Sequence, residues 1–219
     1  MYYYFEDKKV LRQIQNVCSS LVKDLEFKLR EKGLNSQVFL IGSGGRNMVT
    51  QNEDGPIDFD YNLNIISCAD INNCKNIKEL VRKTFNLVMK ENNLKDVDDS
   101  TLSLTTKHMH LKSNPDVEFS IDLAIVAKDK DGNWNRLIHE KNGSSYSDRY
   151  YWNLAPNSKD YKIKATKIKN ENCWEIVRTE YLNIKNKYLK KNDNYHPSFI
   201  CFIEAVNNVY NILRQKGIF

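Results

Sequence analysis

The sequence predicts an α+β fold in which a mixed β-sheet is flanked by helices and followed by a C-terminal helical region. Apolar residues near the N-terminus recur at helical spacing, whereas several segments in the middle of the chain alternate apolar and polar residues as β-strands do. Helical spacing returns in the last part of the chain. With 219 residues, 41% of them hydrophobic, the chain can bury a sizeable core in one large or two small domains.

Two helices are predicted in the first half of the chain. The first runs from about residue 5 to residue 30, and Gly33 lies where a C-cap is expected. The second spans about residues 77–88, and Asp70, Asn72 and Asn73 ahead of it are suitable N-caps. The apolar residues that define the two helices are Val10, Ile14, Val17, Leu21 and Leu25, then Ile77, Leu80, Val81, Phe85 and Val88.

The strands are predicted from short apolar or alternating segments that end at turn residues. Residues 38–41 form an apolar run that stops at glycines, and residues 57–65 alternate. Residues 102–112 and 117–127 are predicted to pair as a hairpin, and residues 134–138 are predicted to return beside it after a turn.

A domain boundary is predicted between residues 142 and 143. From Gly143 onwards Ser, Tyr and Asn dominate, and Pro156 interrupts any regular element. Two helices are predicted beyond the boundary, and their aromatic side chains are interpreted as packing residues. Their apolar residues are Trp174, Val177, Tyr181, Ile184 and Tyr188, and, after Pro197, Phe199, Phe202, Ile203, Val206, Tyr210 and Leu213.

A glycine-rich loop follows the first predicted strand, at residues 41–46 with the sequence Ile-Gly-Ser-Gly-Gly-Arg. Glycines let backbone amides approach an anion, and Ser43 adds a hydroxyl donor. Residues 45–52 are predicted to form a short helix whose N-terminal amides face the loop. The loop is therefore a candidate phosphate-binding site, to which Arg46 would add a cation.

Two carboxylates follow in the next strand, within residues 57–61, Ile-Asp-Phe-Asp-Tyr. Because side chains alternate along a strand, Asp58 and Asp60 project from one face, with Cα atoms about 7 Å apart. Two carboxylates so placed repel each other unless a cation lies between them. An EF-hand that began at Asp58 would need Gly and Glu where the chain has Leu63 and Ala69, which excludes that calcium loop. A solvated strand face remains the alternative.

The order of these motifs resembles the signature of the polymerase-β-like nucleotidyltransferase superfamily: a hydrophobic residue, Gly-Ser, a spacer, then two aspartates that alternate with hydrophobic residues. The superfamily carries a third carboxylate on a later strand, and residues 119–126, which contain Asp122, are similar to that strand. The spacer, residues 44–57, is longer than usual. The resemblance implies a nucleotidyltransferase-type sheet, with a catalytic domain at residues 1–142 and a helical region at 143–219 that completes the cleft.

The resemblance implies a metal-dependent nucleotidyltransferase, which moves a nucleoside monophosphate from a nucleoside triphosphate to an acceptor hydroxyl and releases pyrophosphate. It implies that Asp58 and Asp60 bridge two Mg²⁺ ions, with Mn²⁺ as the alternative metal, and that Asp122 holds the ion that activates the acceptor. Gly42 and Ser43 would hold the β and γ phosphates. The competing hypothesis is a catalytically silent module of the same fold that binds a nucleotide or nucleic acid.

Similar motifs of other protein classes are excluded or not favoured. A Walker A loop ends in Gly-Lys-Ser/Thr, whereas Gly45 is followed by Arg46 and Asn47. The His-Arg-Asp and Asp-Phe-Gly triplets of protein kinases do not occur. His108 and His110 would share a strand face, but no third metal ligand is indicated, so packing or surface roles are favoured for them.

Three acidic residues, Asp116, Glu118 and Asp122, compete for the role of the third carboxylate. Asp122 is preferred because it lies in an apolar run, where a carboxylate is costly to bury without a metal or hydrogen bonds. Glu118 shares its side-chain face but lies about 13 Å away along the strand, beside a turn.

The Lys-rich segment at residues 159–169 leaves two interpretations open. Its lysines are interleaved with Tyr161 and Ile163 and follow an aromatic cluster at residues 146–152. Such interleaving can stack a base and neutralise phosphates. It is equally typical of a solvated edge.

Composition limits the partners and the compartment. The 33 basic and 28 acidic residues give a formal net charge of +5, which suits a polyphosphate ligand without requiring nucleic acid. Five widely spaced cysteines without a Cys-x-x-Cys pair indicate neither a disulfide framework nor a zinc site. No signal-like N-terminus or long apolar stretch occurs, so a cytoplasmic protein without a membrane segment is expected. The oligomeric state is left open, and so is the acceptor: a small molecule, a nucleotide, an RNA end or a protein hydroxyl.

Overall fold

The computed structural model describes residues 1–144, 146–155, 159–192 and 197–219. Within these ranges the predicted α+β class is confirmed, because a mixed sheet, its flanking helices and a C-terminal helical region are present. No helix in the same ranges is both long enough and apolar enough to cross a bilayer. The elements are, in chain order, β1 (Tyr2–Tyr4), α1 (Lys8–Glu31), β2 (Asn35–Leu40), α2 (Gly42–Gly45), β3 (Thr50–Asn52), β4 (Ile57–Ser67), α3 (Cys74–Glu91), β5 (Asp98–Asp99), β6 (Leu104–Thr105), β7 (Met109–Leu111), β8 (Asn114–Lys128), β9 (Trp134–Glu140), β10 (Arg149–Leu154), α4 (Lys159–Asn170), α5 (Trp174–Lys190) and α6 (Ser198–Gln215).

The first of two compact units, which we call the sheet unit, contains residues 6–46 and 55–155. Its main strands follow the order β10-β9-β8-β4-β2, in which β4 and β8 are parallel and the other neighbours are antiparallel. The short strands β6 and β7 also pair with β8, and β5 pairs with β6. The pairing of β7 with β8 confirms the hairpin predicted for residues 102–112 and 117–127.

The long helices α1 and α3 contact each other and strands of the sheet. Asp7 caps α1, because its carboxylate accepts hydrogen bonds from the amides of Lys9 and Val10 at 2.9 and 3.0 Å. Of the candidate N-caps ahead of α3, Asn73 is the one that caps the helix, and it accepts a hydrogen bond from the amide of Asn76 at 3.1 Å. Fully buried side chains in this unit include Ile14, Leu25, Phe59, Phe85 and Ile121.

The strand β10 was missed by the sequence analysis, which expects irregular structure from Gly143 onwards. Residues 149–154 pair with β9 along their whole length, so the sheet continues beyond residue 142. Trp152 in this strand also donates its indole N–H to the carbonyl oxygen of Ile71 at 2.8 Å. The aromatic residues of β10 favour a strand, but the Ser and Asn residues around them conceal it.

The second compact unit, which we call the helical unit, contains residues 1–5, 47–54 and 156–219. Within it, α6 packs against α4 and α5, and β1 pairs with β3 in an antiparallel ribbon. The packing role predicted for the aromatic residues is confirmed for Tyr181 and Phe202, which are each 3% exposed and meet edge to face at 6.3 Å. The buried core of this unit consists of Met48, Ile168, Val177, Tyr181, Ile184, Cys201, Phe202, Ala205, Val206, Val209 and Leu213.

The helix predicted over residues 45–52 is wrong. The helical turn α2 ends at Gly45, and the segment beyond it supplies β3, which pairs with β1. Met48 is 1% exposed in the core of the helical unit. The chain therefore leaves the sheet unit after Arg46 and re-enters it at Gly55, and this excursion accounts for the unusually long spacer.

The excursion is anchored by polar side chains of α5. The side-chain amide of Asn186 accepts a hydrogen bond from the Tyr2 amide at 2.7 Å and donates to the Tyr2 carbonyl oxygen at 3.0 Å. Lys185 donates to the hydroxyl of Thr50 at 2.8 Å. β1 and β3 thus each have a partner on the same helix.

The Lys-rich segment forms α4. The ammonium group of Lys164 donates to the side-chain oxygen of Asn207 at 2.6 Å, and the ammonium groups of Lys164 and Lys167 lie 5.5 and 5.9 Å from the ring centroid of Tyr210. These two lysines therefore contact α6 within the helical unit, which favours a structural role for them.

Candidate active site

The parallel pairing of β4 with β8 brings the predicted carboxylates together. In this register Asp60 lies opposite Asp122, and Asp58 lies opposite Ser120. Neighbouring strands are about 4.8 Å apart, so residues opposite each other on one face are side-chain neighbours. Asp58, Asp60 and Asp122 therefore share one patch at the start of β4.

Two hydroxyl groups hold the outer carboxylates by hydrogen bonds. Ser120 donates to Oδ1 of Asp58 at 2.6 Å, and Thr105 on β6 donates to Oδ1 of Asp122 at 2.5 Å. Thr105 also lies opposite Asp122 in the β6–β8 pairing. Each bond satisfies one carboxylate oxygen and restricts the rotation of the side chain that bears it.

The glycine loop lies directly against Asp60. The Ile41 amide donates to the Asp60 carbonyl oxygen at 2.8 Å, which fixes the start of the loop on β4. Gly42 has a φ of +62°, and a Cβ atom at this position would lie 1.9 Å from Oδ2 of Asp60. A Cβ atom on Gly45 would lie 2.9 Å from the carbonyl oxygen of Leu40. The glycines are therefore required for the backbone to approach the carboxylate.

The pKa of Asp60 is shifted by burial and by the neighbouring charges. Burial, followed by the charges of Asp122 and Asp58, raises the pKa of Asp60 to about 6. The charges of Arg46 and Arg136 oppose this shift. Arg46 directly follows α2, as its C-cap, so its charge lies near enough to act on Asp60.

Arg136 on β9 was missed by the sequence analysis. It lies opposite Val126 of β8, an even number of residues from Asp122, and therefore on the same face of the sheet. Burial lowers the pKa of Arg136, whereas the charge of Asp60 raises it. Its Nε atom is buried and makes no hydrogen bond to the residues that the structure describes. Arg136 is half-buried in a strand that also contains Asn135, His139 and Glu140, so no local pattern in the sequence distinguishes it.

Glu118, another candidate for the third carboxylate, does not lie beside Asp60 and is paired with a histidine. Its carboxylate is 2.9 Å from Nδ1 of His108, and it faces His110 in the β7–β8 pairing. His108 precedes β7 and has a φ of +52°, whereas His110 lies within β7. The prediction that the two histidines share a strand face is therefore wrong. The structure thus brings Asp122, and not Glu118, next to Asp60.

Two properties show whether these residues fit a divalent cation: the chemistry of their donor atoms and the charge that they carry. In the described part of the chain, no three His, Cys, Asp or Glu side chains converge on one point as metal ligands do. The three aspartates nevertheless supply the oxygen ligands that Mg²⁺ prefers. Asp60 also lies in the field of two like charges, which a cation would relieve. On these two criteria the residues fit Mg²⁺ or Mn²⁺.

Comparison with solved structures identifies the fold. Escherichia coli MS115-1 CdnC, solved with ATP, matches with a TM-score of 0.55 and 12% identity over 92% of this chain and 61% of that one. The Elizabethkingia meningoseptica cyclic dinucleotide synthase CdnE, solved with GTP and Apcpp, matches with a TM-score of 0.53 and 15% identity over 90% of this chain and 69% of that one. Vibrio cholerae DncV, solved in a 3'-deoxy ATP bound form, has a TM-score of 0.47 and 14% identity over 69% and 39% of the two chains.

These likenesses show a polymerase-β-like nucleotidyltransferase fold, as the sequence motifs predict. The chain spans about two fifths of the length of DncV and about two thirds of the length of the other two proteins. No protein-family model matches the sequence, and no curated protein matches it.

The close approach of Gly42 to Asp60 predicts that Gly42→Ala is more destabilising than an ordinary glycine substitution. Gly33→Ala is the matched control, because Gly33 also has a positive φ, +80°, but has no atom within 4 Å of an added Cβ. Both variants carry backbone strain of about 1 kcal/mol, whereas Gly42→Ala must also displace a carboxylate, at an additional cost of about 1–3 kcal/mol. Urea unfolding of both variants measures the difference. Equal losses would show that the contact with Asp60 is unimportant.

The raised pKa of Asp60 predicts that Asp60→Asn stabilises the metal-free protein at neutral pH. An unfolded Asp titrates near pH 4, so the wild type loses stability as pH rises from about 4 to about 7, while the Asn variant lacks this loss. The variant should therefore exceed the wild type in unfolding free energy by about 2–3 kcal/mol at pH 7 and by little at pH 4.

Urea unfolding in EDTA at pH 4, 5, 6 and 7 measures this difference. Asp116→Asn, at an exposed position near the start of β8, is the control and should follow the wild type. A difference between Asp60→Asn and wild type that does not change with pH would contradict the prediction.

Proposed function

We propose that this chain is a metal-dependent nucleotidyltransferase that transfers a nucleoside monophosphate from a nucleoside triphosphate to an acceptor hydroxyl and releases pyrophosphate. The observation that carries the proposal is the position of Asp60, which lies opposite Asp122 on one side and against the backbone of Gly42 on the other. An anion-binding loop and three carboxylates thereby meet at one end of β4. This combination suits a ligand that carries both phosphates and metal ions.

Asp58, Asp60 and Asp122 would hold two Mg²⁺ or Mn²⁺ ions, which supply charge neutralisation at the phosphoryl group and at the acceptor oxygen. Ser120 and Thr105 orient two of these carboxylates, as partners of metal ligands generally do.

The glycine loop and two arginines would bind the phosphates of the donor. The backbone amides at Gly42 and Ser43, with the Ser43 hydroxyl, would contact the β and γ phosphates. Arg46 and Arg136 place positive charge close enough to Asp60 to act on its pKa. They would therefore offset the negative charge of the triphosphate in the same site.

A nucleotide is the first acceptor to test. CdnE is described as a cyclic dinucleotide synthase, and CdnC and CdnE were solved with nucleotides. We therefore propose that the acceptor is a second nucleotide. If nucleotides alone give no product, the acceptor is instead a small molecule, an RNA end or a protein hydroxyl.

We expect nucleotide binding to depend on divalent metal, because a triphosphate and three carboxylates repel each other without a cation. Titration calorimetry with ATP and with GTP, first in Mg²⁺ and then in EDTA, measures this dependence. The affinity should fall at least about tenfold on chelation. Unchanged affinity would instead favour the silent binding module of the same fold.

Turnover should depend on Asp122 and not on Glu118. Asp122→Ala removes a carboxylate next to Asp60 and should abolish pyrophosphate release, whereas Glu118→Ala breaks only the pair with His108 and should stay within about threefold of wild type. Single-turnover assays with labelled triphosphates compare the two variants. An inactive Glu118→Ala beside an active Asp122→Ala would overturn the assignment, and a wild type that binds triphosphate without turnover would identify a binding module.

A further inference from the structure

A network of charged side chains lies within the sheet unit and takes no part in the chemistry proposed above. At its centre is His139 on β9, which is 5% exposed. Its Nδ1 atom lies 2.8 Å from Oδ2 of Asp99, and its Nε2 atom lies 3.0 Å from Oδ2 of Asp148. Because both ring nitrogens face carboxylate oxygens, only the doubly protonated imidazolium can donate to both. The ring also stacks on Tyr150, with centroids 4.1 Å apart.

The network continues from Asp99 to a buried lysine on α3. Lys78 is 1% exposed, and its ammonium group lies 3.1 Å from Oδ1 of Asp99. The same ammonium group donates to the carbonyl oxygens of Ser100 and Ser103 at 3.3 and 3.5 Å. Asp99 thus lies between the Lys78 ammonium group and the His139 ring, and these contacts satisfy polar groups that would be costly to bury singly.

The hairpin formed by β5 and β6 is held by this network. Asp99 belongs to β5, and the carbonyl oxygen of Thr101 in the connecting turn accepts a hydrogen bond from the His139 amide at 3.0 Å. Each strand has only two residues, which gives such a hairpin little stability of its own. β6 is also paired with β8, so β5 and the connecting turn are the parts of the hairpin that depend on the side chains of α3 and β9.

The other strand of this hairpin reaches the candidate active site. β6 ends in Thr105, which donates to Oδ1 of Asp122. Asp99 and Thr105 lie on paired strands, with Asp99 opposite Leu104 and Asp98 opposite Thr105. A displacement of Asp99 would thus be transmitted through one strand pairing to the hydroxyl that orients Asp122.

We propose that His139 is a positioning residue: held between Asp99 and Asp148, it fixes the β5–β6 hairpin so that Thr105 keeps Asp122 in its orientation. The catalytic part of this inference rests on the proposed function, because it requires Asp122 to be a catalytic residue. The structural part, the fixing of the hairpin by His139, can be measured without any activity.

Hydrogen–deuterium exchange on the 219-residue chain tests the structural part. His139→Gln keeps one donor nitrogen, but its amide oxygen is an acceptor and cannot bond the second carboxylate. Exchange of the amides in residues 98–106 should therefore accelerate at least about tenfold while α1 is unchanged. His108→Asn is the matched control, since it also removes an imidazole that faces a carboxylate, and Asn tolerates the positive φ at that position. Normal exchange in residues 98–106 of His139→Gln would overturn the inference.

A double-mutant cycle tests the link to Asp122. Thr105→Val and His139→Gln should each lower kcat about tenfold with little change in KM for the triphosphate, and the double variant should be no slower than Thr105→Val alone. Additive losses would show that His139 does not act through Thr105 and would overturn the proposal. Thr105→Ser, which keeps the hydroxyl donor, should restore most of the activity.

A milder variant keeps the inference testable if His139→Gln does not fold. Asp148→Asn removes the charge at the outer end of the network, where the side chain is 14% exposed. It should accelerate exchange in residues 98–106 about threefold or more, and unchanged exchange would overturn the inference. An inactive wild type with the expected exchange pattern would overturn the proposed function and leave the role of His139 in the hairpin established.

Discussion

The parallel pairing of β4 with β8 is the constraint on which the rest of the site depends. It sets Asp60 beside Asp122 and leaves like charges side by side in a partly buried patch. The apolar residues that alternate with these carboxylates, such as Phe59 and Ile121, are fully buried and hold the two strands in register. Burial of the apolar face thus stabilises the strand pair against the repulsion between the carboxylates on its other face.

The three carboxylates are not equivalent in this arrangement. Asp58 and Asp122 each accept a short hydrogen bond from a hydroxyl group, from Ser120 and Thr105. The pKa of Asp60 is raised to about 6 by burial and by its two neighbours. A ligand that brings positive charge to the patch would therefore favour the ionised form of Asp60.

The sequence predicts well what depends on local periodicity and poorly what depends on distant pairing. The shared face of Asp58 and Asp60 follows from the two-residue period of a strand, and the fold class follows from the order of the patterns. Ser120 is 62 residues from its partner Asp58, so no local pattern indicates their contact. Thr105 and Arg136 were missed for the same reason, since each reaches the site from another strand. The helix predicted after Gly45 failed because pairing with β1 overrides local preference there.

The excursion of the chain after the glycine loop has a consequence for folding during synthesis. Residues 47–54 precede β4 in the sequence, yet Met48 packs in the core of the helical unit, and Thr50 accepts a hydrogen bond from Lys185, 135 residues further along the chain. The glycine loop and the start of β4 are each joined to this excursion, so during synthesis both are joined to a segment whose partners in α5 and α6 have not yet emerged from the ribosome. The segments on both sides of this excursion, including part of the candidate site, are therefore joined to residues that gain their packing partners only after α5 and α6 have been synthesised.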